Sequence, residues 1–117
     1  MTYVDTSAFL AVLLGNDINH GAARKIWEGL LESGEPLVSS NYVIVETISL
    51  LQNRVGVEAV RAFLDSIAPL LHVEWVDAVL HRIGTESLIA AGRRSLSLVD
   101  CTSFALMRKR DRTCLCL

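Results

Sequence analysis

The sequence lacks the features of several protein classes. None of its apolar runs approaches the ~18–20 residues that a membrane-spanning helix needs, so we expect no membrane partner. The N-terminus has no basic segment, and Asp5 interrupts its apolar stretch, so we expect no secretory signal peptide. The three cysteines cannot all pair with one another, which favours a reduced, cytoplasmic setting.

Internal repeats, low-complexity tracts and glycine-rich nucleotide-binding motifs are also absent. Thirteen acidic and eleven basic residues leave a net charge of −2, which does not favour wholesale coating of nucleic acid. With 51% hydrophobic residues the chain is too apolar for a disordered protein. Its 117 residues predict one domain, spanning residues 1–117.

Short β-rich segments alternate with amphipathic stretches along the chain. We predict strands at Tyr3–Val4, Leu37–Val38, Leu70–Val76 and Thr113–Leu117. We predict helices at Thr6–Leu14, at His20–Ser33 with Gly34 as its cap, from a Ser39 or Ser40 cap to about Arg54, at Val57–Ala68, from an Asp77 cap to about Ala91, and at Leu98–Arg110. This alternation is typical of a parallel α/β sheet with helices on both faces, where functional groups collect at the carboxyl ends of the strands.

Three acidic residues stand alone in apolar surroundings: Asp5, Glu46 and Asp100. A carboxylate in such surroundings is costly unless it is hydrogen-bonded, paired or bound to a metal. Asp5 and Asp100 could instead cap helices, and Glu46 could be a structural glutamate in the middle of a helix. If the three converge they repel one another, and a divalent cation would relieve that repulsion. Oxygen-only ligands suit Mg²⁺ or Mn²⁺, which in phosphate-ester chemistry activate water and stabilise phosphate charge.

Three segments resemble the PIN domain, above all the VapC-type toxins of bacterial and archaeal toxin–antitoxin pairs. These segments are YVDTSAFLAVL, SSNYVIVETISLLQNR and LSLVDCTSFALMRKR. The resemblance implies a Rossmann-like three-layer α/β/α sandwich and a metal-dependent endoribonuclease that cleaves structured RNA, either tRNA or rRNA. It places the metal ligands at Asp5, Glu46 and Asp100, with Ser7 supporting Asp5 by a hydrogen bond. It also implies a homodimer that is inhibited by a small antitoxin protein.

One position departs from the family pattern. The family carries a fourth acid just after the strand that follows the helix of Asp100, but here that strand is TCLCL and the sequence stops at Leu117. Asp111 lies about 16 Å from Asp100 along a continuous helix, too far to share a metal, so we interpret it as a surface residue. We therefore expect the C-terminal end of the domain to be incomplete. The alternative function is a catalytically impaired or inactive domain that dimerises and binds an antitoxin through helices near residues 41–68.

The remaining candidates have simpler interpretations. We expect buried thiols at Cys101, Cys114 and Cys116 rather than a zinc site. We predict packing roles for Trp27 and Trp75, a helix start or cap at His20, a strand position for His72 and a helix surface for His81. A basic cluster is either a solvated helix end or a rim that contacts RNA phosphates. It comprises Arg93, Arg94, Arg108, Lys109, Arg110 and Arg112.

Overall fold

A computed structural model of the chain describes residues 1–110 and 113–115, with side chains through residue 109. The strands are β1 (Thr2–Val4), β2 (Leu37–Ser40), β3 (Leu71–Glu74) and β4 (Thr113–Leu115). The helices are α1 (Thr6–Leu13), α2 (His20–Glu32), α3 (Asn41–Arg54), α4 (Val57–Ser66), α5 (Ala78–Ala91) and α6 (Leu98–Arg110). No helix in these ranges is both long and apolar enough to cross a membrane.

The four strands form one parallel sheet in the order β3-β2-β1-β4. Thr2 of β1 lies opposite Leu37 of β2 on one side and Thr113 of β4 on the other. Leu37 in turn lies opposite Leu71 of β3. Because all the strands point the same way, their carboxyl ends share one edge of the sheet. The predicted parallel α/β sandwich is confirmed.

The core forms where helices cover the sheet. Every residue of β1 and β2 is buried, as expected for central strands with helices on both faces. Phe9 of α1 makes edge-to-face contacts with Trp27 of α2 at a centroid distance of 6.3 Å and with Phe63 of α4 at 5.3 Å. These aromatic contacts join α1, α2 and α4 within the core.

Local sequence signals set most of the helix ends. The Ser40 hydroxyl accepts a hydrogen bond from Val43 N–H at 3.1 Å at the start of α3, and Asp77 accepts one from Leu80 N–H at 2.9 Å at the start of α5. Gly34 adopts φ of +71° just after α2, as a glycine helix cap does. These three predicted caps are confirmed.

Three boundaries differ from prediction by two residues, and one of them is the end of β3, at Glu74 instead of Val76. Helix α4 ends at Ser66 and is followed by a short 3₁₀ turn, Ala68–Leu70, so the predicted extension to Ala68 is wrong. Pro69 explains the difference, because it lacks an N–H and disfavours α conformation in the residue before it. Strand β2 continues to Ser40, two residues beyond the predicted end, because its residues stay extended until α3 begins.

Candidate active site

Asp5 lies at the carboxyl edge of the sheet, directly after β1. Its extended backbone occupies the position that precedes α1. Within the described residues its carboxylate makes no helix-capping hydrogen bond. Instead Oδ2 accepts a long hydrogen bond of 3.5 Å from the Ser7 hydroxyl. Asp5 therefore occupies the N-cap position of α1 without a side-chain capping bond, and Ser7 makes the contact expected of a residue that supports Asp5.

Asp100 lies in the first turn of α6, where it takes part in a reciprocal cap. Its Oδ2 accepts a hydrogen bond from the Ser97 N–H at 3.1 Å, and its own N–H donates to the Ser97 hydroxyl at 3.0 Å. This is the capping-box arrangement, in which the two residues satisfy each other's backbone donors. Asp100 thus has the predicted role at a helix start, and the cap fixes its side chain at the beginning of α6.

The charges of Asp5 and Asp100 interact. Burial raises the pKa of the Asp5 carboxyl above its usual value, and the negative charge of Asp100 raises the same pKa further. Hydrogen bonds from Thr6 N–H and the Ser7 hydroxyl partly offset this rise in the pKa. Among the described side chains, neither Asp5 nor Asp100 forms a salt bridge. Two of the three lone acids are therefore near enough for their charges to interact, and no described side chain forms an ion pair with either of them.

Glu46 is half-buried on α3, a helix that packs against both α1 and α6. The neighbouring Thr47 hydroxyl lies 3.3 Å from the hydroxyl of Thr6, the residue after Asp5. Nevertheless, the part of the chain described by the structure contains no group of three acidic, histidine or cysteine side chains spaced to hold a metal ion. The structure therefore pairs Asp5 with Asp100 and leaves Glu46 on an adjoining helix.

The chemistry of the paired carboxylates fits a hard divalent cation. Mg²⁺ prefers oxygen ligands, keeps several of its waters, and is commonly held by one or two carboxylates together with substrate phosphates. Asp5 and Asp100 are both partly exposed, and a cation between them would relieve the repulsion that raises the pKa of Asp5. The residues present therefore suit Mg²⁺ or Mn²⁺ better than zinc, which favours nitrogen and sulfur ligands.

The basic cluster divides into two parts. Arg93 and Arg94 are exposed in the segment between α5 and α6, just before the cap of Asp100. Arg108 and Lys109 are exposed in the last turns of α6, about 12 Å along the helix from Asp100. The side chain of Arg110, and Asp111 and Arg112 entirely, lie outside the described residues. Among the described members of the cluster, Arg93 and Arg94 are exposed and precede Asp100 by seven and six residues along the chain.

The structure settles several of the simpler interpretations. Cys101 is buried and Trp27 is 5% exposed, as predicted, and His20 begins α2 with its Nδ1 2.8 Å from the Ala11 carbonyl oxygen. His72 lies in β3 and His81 on the exposed side of α5, also as predicted. The Cys114 side chain and all of Cys116 fall outside the described residues.

Trp75 corrects the prediction of a packing role, because 72% of its surface is exposed. Strand β3 ends at Glu74, so Trp75 lies in the turn before α5. In a strand, alternate side chains point towards the core, and the packing prediction assumed that Trp75 was one of them. Because Trp75 lies after the end of the strand, this alternation does not apply to it.

Sequence reasoning also missed the buried hydroxyl groups beside the acids. Tyr3 and Ser103 are 1% and 4% exposed, and their hydroxyl oxygens lie 2.9 Å apart. Their positions carried a usable signal. Tyr3 precedes Asp5 by two residues and Ser103 follows Asp100 by three, spacings that put each on the same side of its element as the acid.

The fold and the acid pair define the class: a parallel α/β domain with convergent carboxylates at the carboxyl edge of its sheet. The profile of the PIN domain matches residues 2–115 of this chain. The chain therefore belongs to the PIN-domain family.

Relatives with known names agree with this assignment. The chain is 39% identical over 112 residues to the 23S rRNA-specific endonuclease VapC20 of two Mycobacterium tuberculosis strains, covering 94% of this chain and 82% of the relative. The crystal structure of M. tuberculosis VapC20, described as a sarcin-ricin loop cleaving toxin, superposes with a TM-score of 0.85 at 32% identity. That superposition covers all of this chain and 89% of the other. The resemblance to VapC-type toxins is thus confirmed.

Proposed function

We propose that this protein is a Mg²⁺- or Mn²⁺-dependent endoribonuclease, the toxin of a toxin–antitoxin pair, acting in the cytoplasm on a ribosomal RNA loop. The observation that carries the proposal is the pairing of Asp5 with Asp100 at the sheet edge, where the charge of Asp100 helps to raise the pKa of Asp5. The substrate follows from the relative, which is named a 23S rRNA-specific endonuclease and is 39% identical. Transfer RNA is the other substrate to test.

The proposed roles follow from position. Asp5 and Asp100 would hold the cation, Glu46 would contribute from α3, and Ser7 would orient the Asp5 carboxylate through its hydrogen bond. When bound, the cation supplies Lewis-acid stabilisation of the negative charge that develops on the scissile phosphate. Because ligation requires ionised carboxylates, Asp5 must lose its proton against a raised pKa. Cation binding and RNA cleavage should therefore weaken as the pH falls.

The Arg93–Arg94 pair is the proposed contact for the RNA backbone. Both side chains are exposed, and the segment that carries them ends at Ser97, the residue that caps Asp100. Phosphate contacts from arginine offset substrate charge and fix the register of the nucleic acid without reading its sequence. They would hold a phosphate close to the carboxylates, which by themselves repel RNA.

The proposed protein partners are an antitoxin and a second copy of this chain. Helices α3 and α5 expose apolar side chains at Val45, Val79 and Ile83, with exposed fractions of 63%, 53% and 39%. Val79 and Ile83 are four residues apart and share one face of α5, while His81, whose Nδ1 bonds the Tyr42 hydroxyl of α3, points to another side of that helix. An exposed apolar region of this kind is typical of a protein interface, and we assign it to the homodimer.

The function is tested by incubating the protein with total rRNA and tRNA in Mn²⁺ and mapping the cut ends. Wild type should cut rRNA within one loop, EDTA should stop the reaction, and Asp5→Asn should lose cleavage. Equal cleavage by Asp5→Asn and wild type would contradict the site assignment. Tight antitoxin binding with no metal-dependent cleavage would instead identify a non-catalytic binding module.

A further inference from the structure

Buried hydroxyl groups lie on the same strands and helices as the acids of the site. Every buried polar side chain that the structure describes, apart from Tyr3, is a serine or threonine. These groups bring no formal charge into the core, yet several of them bridge elements that carry an acid. A neutral scaffold of this kind can fix distances between elements without neutralising the carboxylates above it, which a buried lysine or arginine would do.

The first bridge joins β1 to α6. The Tyr3 and Ser103 hydroxyl oxygens are 2.9 Å apart and both residues are almost fully buried, although 100 positions separate them in the chain. Tyr3 and Asp5 are two residues apart in extended backbone, so their side chains point to the same side. Ser103 and Asp100 are three residues apart on α6 and share a helix face. The bridge therefore spans the same two elements as the Asp5–Asp100 pair.

The second bridge joins α1 to α3. The Thr47 hydroxyl donates to the Val43 carbonyl at 2.8 Å and lies 3.3 Å from the Thr6 hydroxyl. The Thr6 hydroxyl in turn lies 3.4 Å from the same Val43 carbonyl. Thr6 follows Asp5 and Thr47 follows Glu46, so this bridge ties together the backbones that carry those two acids.

We propose that these two hydroxyl pairs, Tyr3–Ser103 and Thr6–Thr47, are positioning residues that set the separations of Asp5 from Asp100 and of Asp5 from Glu46. None of the four touches substrate; each acts through the backbone of an acid. The inference rests on the proposed metal-dependent function. Because the carboxylates repel one another, loss of either hydroxyl pair should let them move apart. The affinity of the site for a divalent cation should then fall.

The test titrates Mn²⁺ alone into the full chain, without RNA, and follows free Mn²⁺ by electron paramagnetic resonance. Ser103→Ala and Tyr3→Phe should each weaken Mn²⁺ binding about fivefold, the scale of one net hydrogen bond. The double variant should be no worse than Tyr3→Phe alone, because the Tyr3 hydroxyl bonds both Ser103 and Ser40 and its removal already breaks the bond to Ser103. Thr47→Val should have a similar effect through the second bridge.

Two control variants remove a hydroxyl from outside the two pairs, and urea unfolding of every variant shows that it is folded under the conditions of the titration. Ser49→Ala removes an exposed hydroxyl that bonds Val45 O at 2.9 Å on the same helix as Glu46, and Thr85→Val removes one bonded to Arg82 O at 2.9 Å. Both should bind Mn²⁺ like wild type. In cleavage assays, saturating Mn²⁺ should restore the activity of Ser103→Ala but not that of Asp5→Asn.

The outcomes distinguish failure of the positioning role of the hydroxyl pairs from failure of the proposed metal-dependent function. If wild type binds Mn²⁺ and cleaves RNA while Ser103→Ala and Thr47→Val match it in Mn²⁺ affinity, the positioning role is overturned and the function stands. If wild type neither binds Mn²⁺ nor cleaves RNA, the proposed function fails and this inference fails with it.

Discussion

Gly84 allows α5 and α6 to approach closely, and replacing it should move the helix that carries Asp100. A Cβ atom at Gly84 would lie 2.7 Å from Thr102 Cγ2 and 3.3 Å from Leu98 Cδ1. Real Cβ atoms essentially never come within 3.0 Å of a neighbour, so α6 or the Thr102 side chain must shift in Gly84→Ala. Thr102 is completely buried, which leaves it little room to move.

The expected change in stability combines two opposing terms. Alanine favours a helix interior over glycine by about 1 kcal/mol. Overpacking a well-filled core costs about 1–3 kcal/mol. Gly84→Ala should therefore lie between neutral and about 2 kcal/mol less stable than wild type. Gly29→Ala is the matched control, because a Cβ atom at Gly29 meets no other atom within 4 Å. This substitution should therefore show only the stabilisation that comes from the higher helix propensity of alanine.

Urea unfolding followed by circular dichroism measures both variants. Gly29→Ala should be about 1 kcal/mol more stable than wild type, and Gly84→Ala about 1–3 kcal/mol less stable than Gly29→Ala. Adding Thr102→Ser should recover much of the loss, because it removes Cγ2 and keeps the hydroxyl that donates to Val99 O at 2.9 Å. If Gly84→Ala is as stabilising as Gly29→Ala, the close approach of α5 and α6 is wrong.

Three further predictions follow from the acid pair and the core. Without added metal, Asp5→Asn should stabilise the fold by about 0.5–1 kcal/mol, the scale of partly exposed charge interactions, and thermal melts in EDTA should detect it. The pKa of Asp5 is raised in the folded state, so between its ordinary and its raised value the folded protein binds more protons than the unfolded chain. The extra stability of Asp5→Asn should therefore be absent at low pH and should grow as the pH rises through the ordinary and then the raised pKa of Asp5. A stability difference that does not change with pH would contradict the raised pKa. Phe63→Ala should lose about 3–5 kcal/mol in urea unfolding, and Phe104→Ala, at a residue that is 46% exposed, should lose far less; equal losses would contradict the placement of Phe63 in the core.

The sequence predicted the parallel sheet and singled out Asp5 and Asp100, two of the three lone acids, for clear physical reasons. Isolated carboxylates in apolar segments have few stable positions, so Asp5 and Asp100 were recognisable from their surroundings before any contact was known. The caps at Ser40, Asp77 and Gly34 are local interactions that span only a few residues, and their signals are therefore local as well.

Contacts between residues far apart in the chain could not be predicted from local sequence patterns. The bond between Tyr3 and Ser103 depends on how β1 and α6 pack, and no pattern within either segment specifies its partner. The exposure of Trp75 depends on where β3 ends, and strand ends are poorly marked by composition. Glu46 was identified as an unusual residue, but its distance from the other two acids is set by the packing of α3.

The proposed cation site is tested most directly by an anomalous diffraction map from crystals of the protein grown with Mn²⁺. We expect one anomalous peak at the carboxyl edge of the sheet, within about 2.0–2.3 Å of carboxylate oxygens from Asp5 and Asp100, and no peak in Asp5→Asn. A wild-type map without a peak there, or a peak that persists in Asp5→Asn, would contradict the claim that these acids form a cation site.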